Sequence, residues 1–175
     1  MKIVVVYESM FGNTKTIAEG IAEGLRVAGE VTAGTVDGLS PDEVCDAALI
    51  VAGGPTHTHG MARPGAHQSL ANDDSYAKYG PVLPGRESLR GWLERLPEGR
   101  VMAAAFDTRF DKPAWLTGSA AKQIAGRLRG KGYPVTGTRS FFVQATGGPL
   151  AGGERERAIA WGRELAAKVE AAATV

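Results

Sequence analysis

Four apolar runs, each nearly unbroken, constrain this chain more than any other feature. They are Lys2–Tyr7 (KIVVVY), Ala47–Ala52 (AALIVA), Arg100–Phe106 (RVMAAAF) and Ser140–Val143 (SFFV). None shows the strict in-out alternation of a strand with one wet face. Strands of this kind are buried on both faces, the condition inside a parallel sheet covered by helices. A fifth run, Val31–Val36 (VTAGTV), mixes small and polar residues and suits a sheet edge.

Between these runs the apolar period lengthens to that of a helix. Ile17, Ile21 and Leu25 fall four apart, and Leu89, Trp92, Leu93 and Leu96 follow i, i+3, i+4, i+7. Ile124 and Leu128 repeat the pattern; Ile159, Leu165 and Val169 follow it more loosely. Gly29 and Gly130 or Gly132 stand where helices would end, and Ser40-Pro41 reads as a cap with a first-turn proline. The alternation predicts a doubly wound α/β fold: a five-stranded parallel sheet between two helical layers, as one domain over residues 1–175. Trp92 and Trp161 are predicted core residues.

Two segments break the rhythm. Gly53–Gly85 is too long for an ordinary connection and is expected to be a functional loop or disordered. It holds all three histidines, His57, His59 and His67, with Tyr76 and Tyr79 as either a lid or anchors. The second, Gln144–Gly153, is glycine-rich and leads into the last helix. Trp115 would border a site or anchor a loop.

Composition excludes several classes. A formal charge of +1, from 20 basic and 19 acidic residues, gives no basic surface for nucleic acid or a polybasic membrane contact. Cys45 is the single cysteine, so no intrachain disulfide forms; a reducing, cytoplasmic setting fits, with Cys45 as a small apolar filler. The first apolar run is too short for a signal peptide, and no run approaches membrane-span length. The histidines have no cysteine or carboxylate at ligand spacing, so no metal site is assigned. No residue is assigned a covalent catalytic role.

The chemistry concentrates after the first strand. Ser9-Met10-Phe11-Gly12-Asn13-Thr14 joins a strand to a helix. Unpaired backbone N–H groups and the positive end of a helix dipole attract an anion there, and Ser9 and Thr14 add hydroxyls. The same residues also suit a plain N-cap by Asn13 or Thr14. The loop lacks the GxxxxGK[ST] of a P-loop and the GxGxxG of a dinucleotide fold. No acidic pair precedes it, as a phospho-acceptor receiver would require.

SMFGNT resembles the phosphate loop of the flavodoxin family, [ST]-x-[ST]-G-N-T, departing from it at Phe11. GGPTHTHGMARP, after the third run, is similar to the family's second flavin loop, and FDTRF, after the fourth, stands in the place of its third. The resemblance covers nearly the whole chain. It implies the family's strand order 2-1-3-4-5 and an FMN cofactor whose 5′-phosphate lies in Ser9, Met10, Phe11, Gly12, Asn13 and Thr14. Gly54, Pro55 and Thr56 would run beside the ribityl chain. His57, Thr58, His59, Gly60 and Met61 would face the ring from one side, with Phe106, Asp107, Thr108, Arg109 and Phe110 on the other. The implied function is electron transfer through FMN to a redox partner protein or small electron acceptor, with oligomeric state open. Two alternatives stand beside it: an NAD(P)H-dependent FMN oxidoreductase acting on quinones, and an interaction module that keeps the fold without flavin.

Overall fold

A computed structural model describes residues 1–57 and 60–174. In chain order, β1 (Lys2–Tyr7) is followed by α1 (Asn13–Leu25), β2 (Glu30–Thr35), β3 (Leu49–His57) and a two-residue β4 (Gly60–Met61). Then come α2 (Ala66–Ala71), α3 (Leu89–Arg95), β5 (Met102–Phe110), a single turn α4 (Ala114–Thr117), α5 (Ala120–Gly130), β6 (Val135–Val143) and α6 (Glu154–Ala173). The five long strands pair in parallel in the order β2-β1-β3-β5-β6, and β4 folds back antiparallel on the end of β3. The polar, small-residue strand β2 lies at the edge, as its composition requires.

Alternation within the apolar runs divides the core in two. Ile3, Val5, Tyr7, Leu49 and Val51 point to α1 and α6, where Ile17, Ile21, Trp161 and Leu165 meet them. Val4, Val6, Ile50 and Ala52 point the other way, to Trp92 and Leu93 of α3 and Ile124 and Leu128 of α5. β1, β3 and β5 thus bury both faces, which is why their sequences read as continuous apolar runs; β6, with its run Ser140–Val143, lies at the other edge and buries only Phe141 fully. Helices α1 and α6 approach closely: a β-carbon on Gly24 or Gly162 would overlap the backbone of the facing helix.

Several elements run past their predicted limits. β3 and β5 continue to His57 and Phe110, and their ladder carries Gly54↔Asp107 and Pro55↔Thr108 beyond the apolar stretch. Backbone pairing needs no apolar side chains, so the runs mark only the buried part of each strand. β6 begins at Val135, before the predicted Ser140. The Gly53–Gly85 stretch is largely built structure: the end of β3, β4, α2 and a 3₁₀ segment, Asp74–Tyr79. Cys45 is exposed rather than a core filler, and Trp115, at 84% exposure, anchors no loop. Among the described residues no helix is long and apolar enough to cross a membrane.

Candidate functional site

The exits of β1, β3 and β5 lie side by side at the carboxyl edge of the sheet, the place where ligands of such folds bind. They border a crevice enclosing about 90 Å³. Ser9, Met10, Phe11, Asn13 and Thr14 line it from the first exit, Pro55, Thr56 and His57 from the second, and Thr108, Arg109 and Phe110 from the third.

Helix α1 begins without a side chain of its own as cap. Its N-cap is Gly12, at φ 93°, a left-handed conformation that glycine takes without strain. Neither candidate cap residue fills the role. The Asn13 amide donates to the Gly148 carbonyl, and the Thr14 hydroxyl shares a 2.8 Å hydrogen bond with that of Thr108. Ser9 Oγ reaches up instead, accepting from Gly12 N–H at 3.2 Å and Lys15 N–H at 3.3 Å. With both acceptor positions in use, its hydrogen remains to be donated. The N–H groups of Phe11, Asn13 and Thr14 have no partner among the described residues.

Two neighbouring helices start differently. At α5, Ser119 caps by accepting from Lys122 N–H. Asp107, fully buried, completes that terminus: its Oδ2 accepts from the Ser119 hydroxyl at 2.7 Å, Ala121 N–H at 2.9 Å and the Thr56 hydroxyl at 3.0 Å. At α3, Ser88 caps by accepting from Gly91 N–H at 3.1 Å, and the buried carboxylate of Glu8 accepts from Leu89 N–H at 3.1 Å. A carboxylate of the chain itself therefore occupies the positive ends of α3 and α5. At α1 no such anion is supplied among the described residues.

Comparison with known proteins agrees with the fold. Residues 5–89 match the Flavodoxin family model. The match spans just under half of the chain and makes it similar to the flavodoxin family. Among solved structures, an archaeal flavodoxin is 23% identical, with 97% of this chain and 99% of that one covered at a TM-score of 0.67. Oxidised flavodoxin 1 from Bacillus cereus is 17% identical over 94% and 96%, with a TM-score of 0.63. A flavodoxin, WrbA-like protein from Agrobacterium tumefaciens is 21% identical over 97% of both chains, with a TM-score of 0.60. At these identities the likeness concerns the fold. No curated protein sequence matches the chain.

Not every residue that the flavodoxin resemblance put at the site faces the crevice. Phe106 is fully buried among Phe141 and the α1–α6 core, its ring packed where a β-carbon on Gly53 would otherwise stand. Asp107 is consumed by α5, and Gly54 packs toward Leu89. Gly60 and Met61 border a neighbouring hollow that shares His57 and Leu70 with the crevice; there Gln123 Oε1 accepts from Met61 N–H at 3.0 Å and Arg90 donates to the Met61 carbonyl at 3.3 Å. Thr58 and His59 lie outside the described residues. Arg109 borders the crevice, but its guanidinium turns to the protein, donating to the Ser140 and Thr117 hydroxyls and to the Phe110 and Lys112 carbonyls.

Other crevice residues had escaped notice. Thr146 and Gly147 come from the glycine-rich segment whose composition had set it apart, and Leu70 comes from α2. Phe11, the departure from the family's loop pattern, packs against Tyr76 and Tyr79 with ring centroids 6.1 and 6.0 Å away. The tyrosines are thus anchors of the inserted segment onto the first loop. Their partner is the residue that stands where a hydroxyl is usual.

Proposed function

We propose that the crevice binds FMN and that the protein carries electrons between that flavin and a redox partner protein or small acceptor. The observation that carries the reading is the contrast among helix starts. The chain fills the positive ends of α3 and α5 with Glu8 and Asp107, and leaves that of α1 open toward the crevice. A phosphate suits this donor set, with free N–H groups on Phe11, Asn13 and Thr14 and the hydrogen of Ser9. When bound, FMN supplies the redox chemistry.

The chain's part is to bind, orient and limit exposure. The Ser9–Thr14 loop would hold the 5′-phosphate. Pro55 and Thr56 would border the ribityl chain, the Thr56 hydroxyl being fixed between Asp107 and Ala120 N–H. His57 and Thr108–Phe110 would flank the ring. The enclosed volume of about 90 Å³ is below the ~300 Å³ at which enclosing ligand pockets begin. A ligand of flavin size would therefore lie partly in solvent, as electron exchange with an external partner requires.

The test is a titration of flavin-free protein with FMN and with riboflavin, followed by quenching of flavin fluorescence. FMN is expected to bind at least tenfold more tightly, the factor that about 1.4 kcal/mol of phosphate contacts supplies. Equal affinities would mean that the α1 start is only a helix terminus.

A further inference from the structure

The inserted segment after β4 is fastened beneath the first loop by an ionisable contact that flavin binding does not itself require. Glu8, the residue before Ser9, is only 2% exposed. Its Oε2 accepts from Leu89 N–H, and its Oε1 faces His67 Nε2 at 3.3 Å. That separation is an ion pair rather than an aligned hydrogen bond, and neither atom has another partner among the described residues. On the other side of the ring, His67 Nδ1 lies 3.0 Å from the Leu83 carbonyl. A carboxylate and a carbonyl both accept, so this placement favours a ring with hydrogen on both nitrogens, the cation. Leu83 in turn donates its N–H to the Met10 carbonyl at 2.7 Å. A continuous path therefore runs from His67 through Leu83 to Met10 in the loop that lines the crevice.

We propose that His67 is a positioning residue for the phosphate loop: protonated, it latches the segment from Ala66 to Gly85 against Glu8 and Met10, and loss of its proton releases that strap and loosens the site. The proposal rests on the flavin reading for its functional consequence. The latch itself does not. A neutral ring would turn one nitrogen lone pair toward an acceptor, either Glu8 or the Leu83 carbonyl, in a setting where water is largely excluded. The aromatic contacts of Phe11 with Tyr76 and Tyr79, and the packing of Leu70 and Val82 beside Met10, would then hold the strap without the ion pair.

The charges around the ring all favour the cation. Glu8 comes from the exit of β1 and is the main cause that raises His67 above the ordinary histidine value; burial opposes it, and the Leu83 carbonyl and Asp37, from the turn after β2, add to the rise. Asp37 is itself held by the N–H groups of Arg86 and Glu87, and the Glu87 carboxylate pairs with Arg95 instead. The sign follows from the raised value. The latch contributes fully below the open-state pKa of about 6.5 and is lost as pH rises through the higher closed-state value.

Two measurements test this, on wild type and on His67→Gln. The first is hydrogen-exchange protection of the Leu83 amide in flavin-free protein between pH 6 and pH 9, corrected for intrinsic exchange. The second is FMN affinity over the same range. In wild type, Leu83 protection should fall about tenfold and FMN affinity about fivefold with rising pH, a usual size for coupled equilibria. The phosphate of FMN titrates near pH 6, and that contribution is common to both proteins. In His67→Gln both fall-offs should disappear. Leu83 protection that does not change with pH in wild type, or a fall that persists in His67→Gln, would overturn the latch. The Leu83 measurement needs no flavin, so a protein that binds none would overturn the flavin reading and leave the latch to be judged by Leu83. If His67→Gln fails to fold, the pH dependence of Leu83 in wild type decides.

Discussion

The exits of β1 and β5 stand near each other on the same edge of the sheet, both rich in polar groups, and they are built to opposite ends. At β5, Asp107 collects two hydroxyls and an N–H from the start of α5, and Arg109 spends its guanidinium on hydroxyls and carbonyls nearby. That exit is filled largely by its own side chains, with Asp107 Oδ1 left without a partner among the described residues. At β1, Ser9 is drawn inward to support the turn, Asn13 reaches across to Gly148, and the free donors of α1 are left facing outward. A buried polar group is stable only when partnered. The exit that lacks internal partners is therefore the one disposed toward a ligand, and the other is a fixed wall beside it.

Substitutions on either side should separate these roles. The largest effect is expected from Asp107→Ala, which strands the Thr56 and Ser119 hydroxyls and the Ala121 N–H. It should cost about 3 kcal/mol or more in urea unfolding, because buried donors keep their desolvation penalty when the acceptor is removed. Gly162→Ala comes next, with about 1–3 kcal/mol of stability lost to overpacking against the α1 backbone. It should leave FMN affinity in the folded protein within twofold. Ser9→Ala reverses the balance: a modest stability change, and a loss of about 1–2 kcal/mol in FMN affinity, near tenfold by titration. Arg109→Ala should be the mildest, within about threefold for FMN, since its guanidinium is committed to the protein. A larger loss there than in Ser9→Ala would place the phosphate at the wrong exit.

The sequence showed the layered fold because burial on both faces writes itself into composition: β1 and the cores of β3 and β5 are plain in the apolar runs. It failed where backbone alone decides. The last residues of β3 and β5 pair through main-chain bonds that Gly54, Pro55 or Thr108 support as well as any apolar residue. Within the site, position along the chain was legible and direction was not. Adjacent residues of a strand face opposite sides. Of five consecutive residues at the end of β5, Phe106 enters the core and Asp107 turns to α5, while Thr108 borders the crevice. Glu8 carried no signal at all: a single acidic residue after a strand reads as solvated, and its burial depends on His67 and Leu89, far away in the chain.

The account stands most directly on where the phosphate goes. Backbone amide shifts of isotopically labelled protein, recorded with saturating FMN and with saturating riboflavin, compare the two exits in one experiment. The amides of Phe11, Asn13 and Thr14 should move downfield with FMN and not with riboflavin, as N–H groups do when they donate to an anion, while Ala121 at the start of α5 stays where Asp107 holds it. Indistinguishable spectra at the β1 exit with the two flavins, or a phosphate-dependent shift at Ala121 instead, would contradict it.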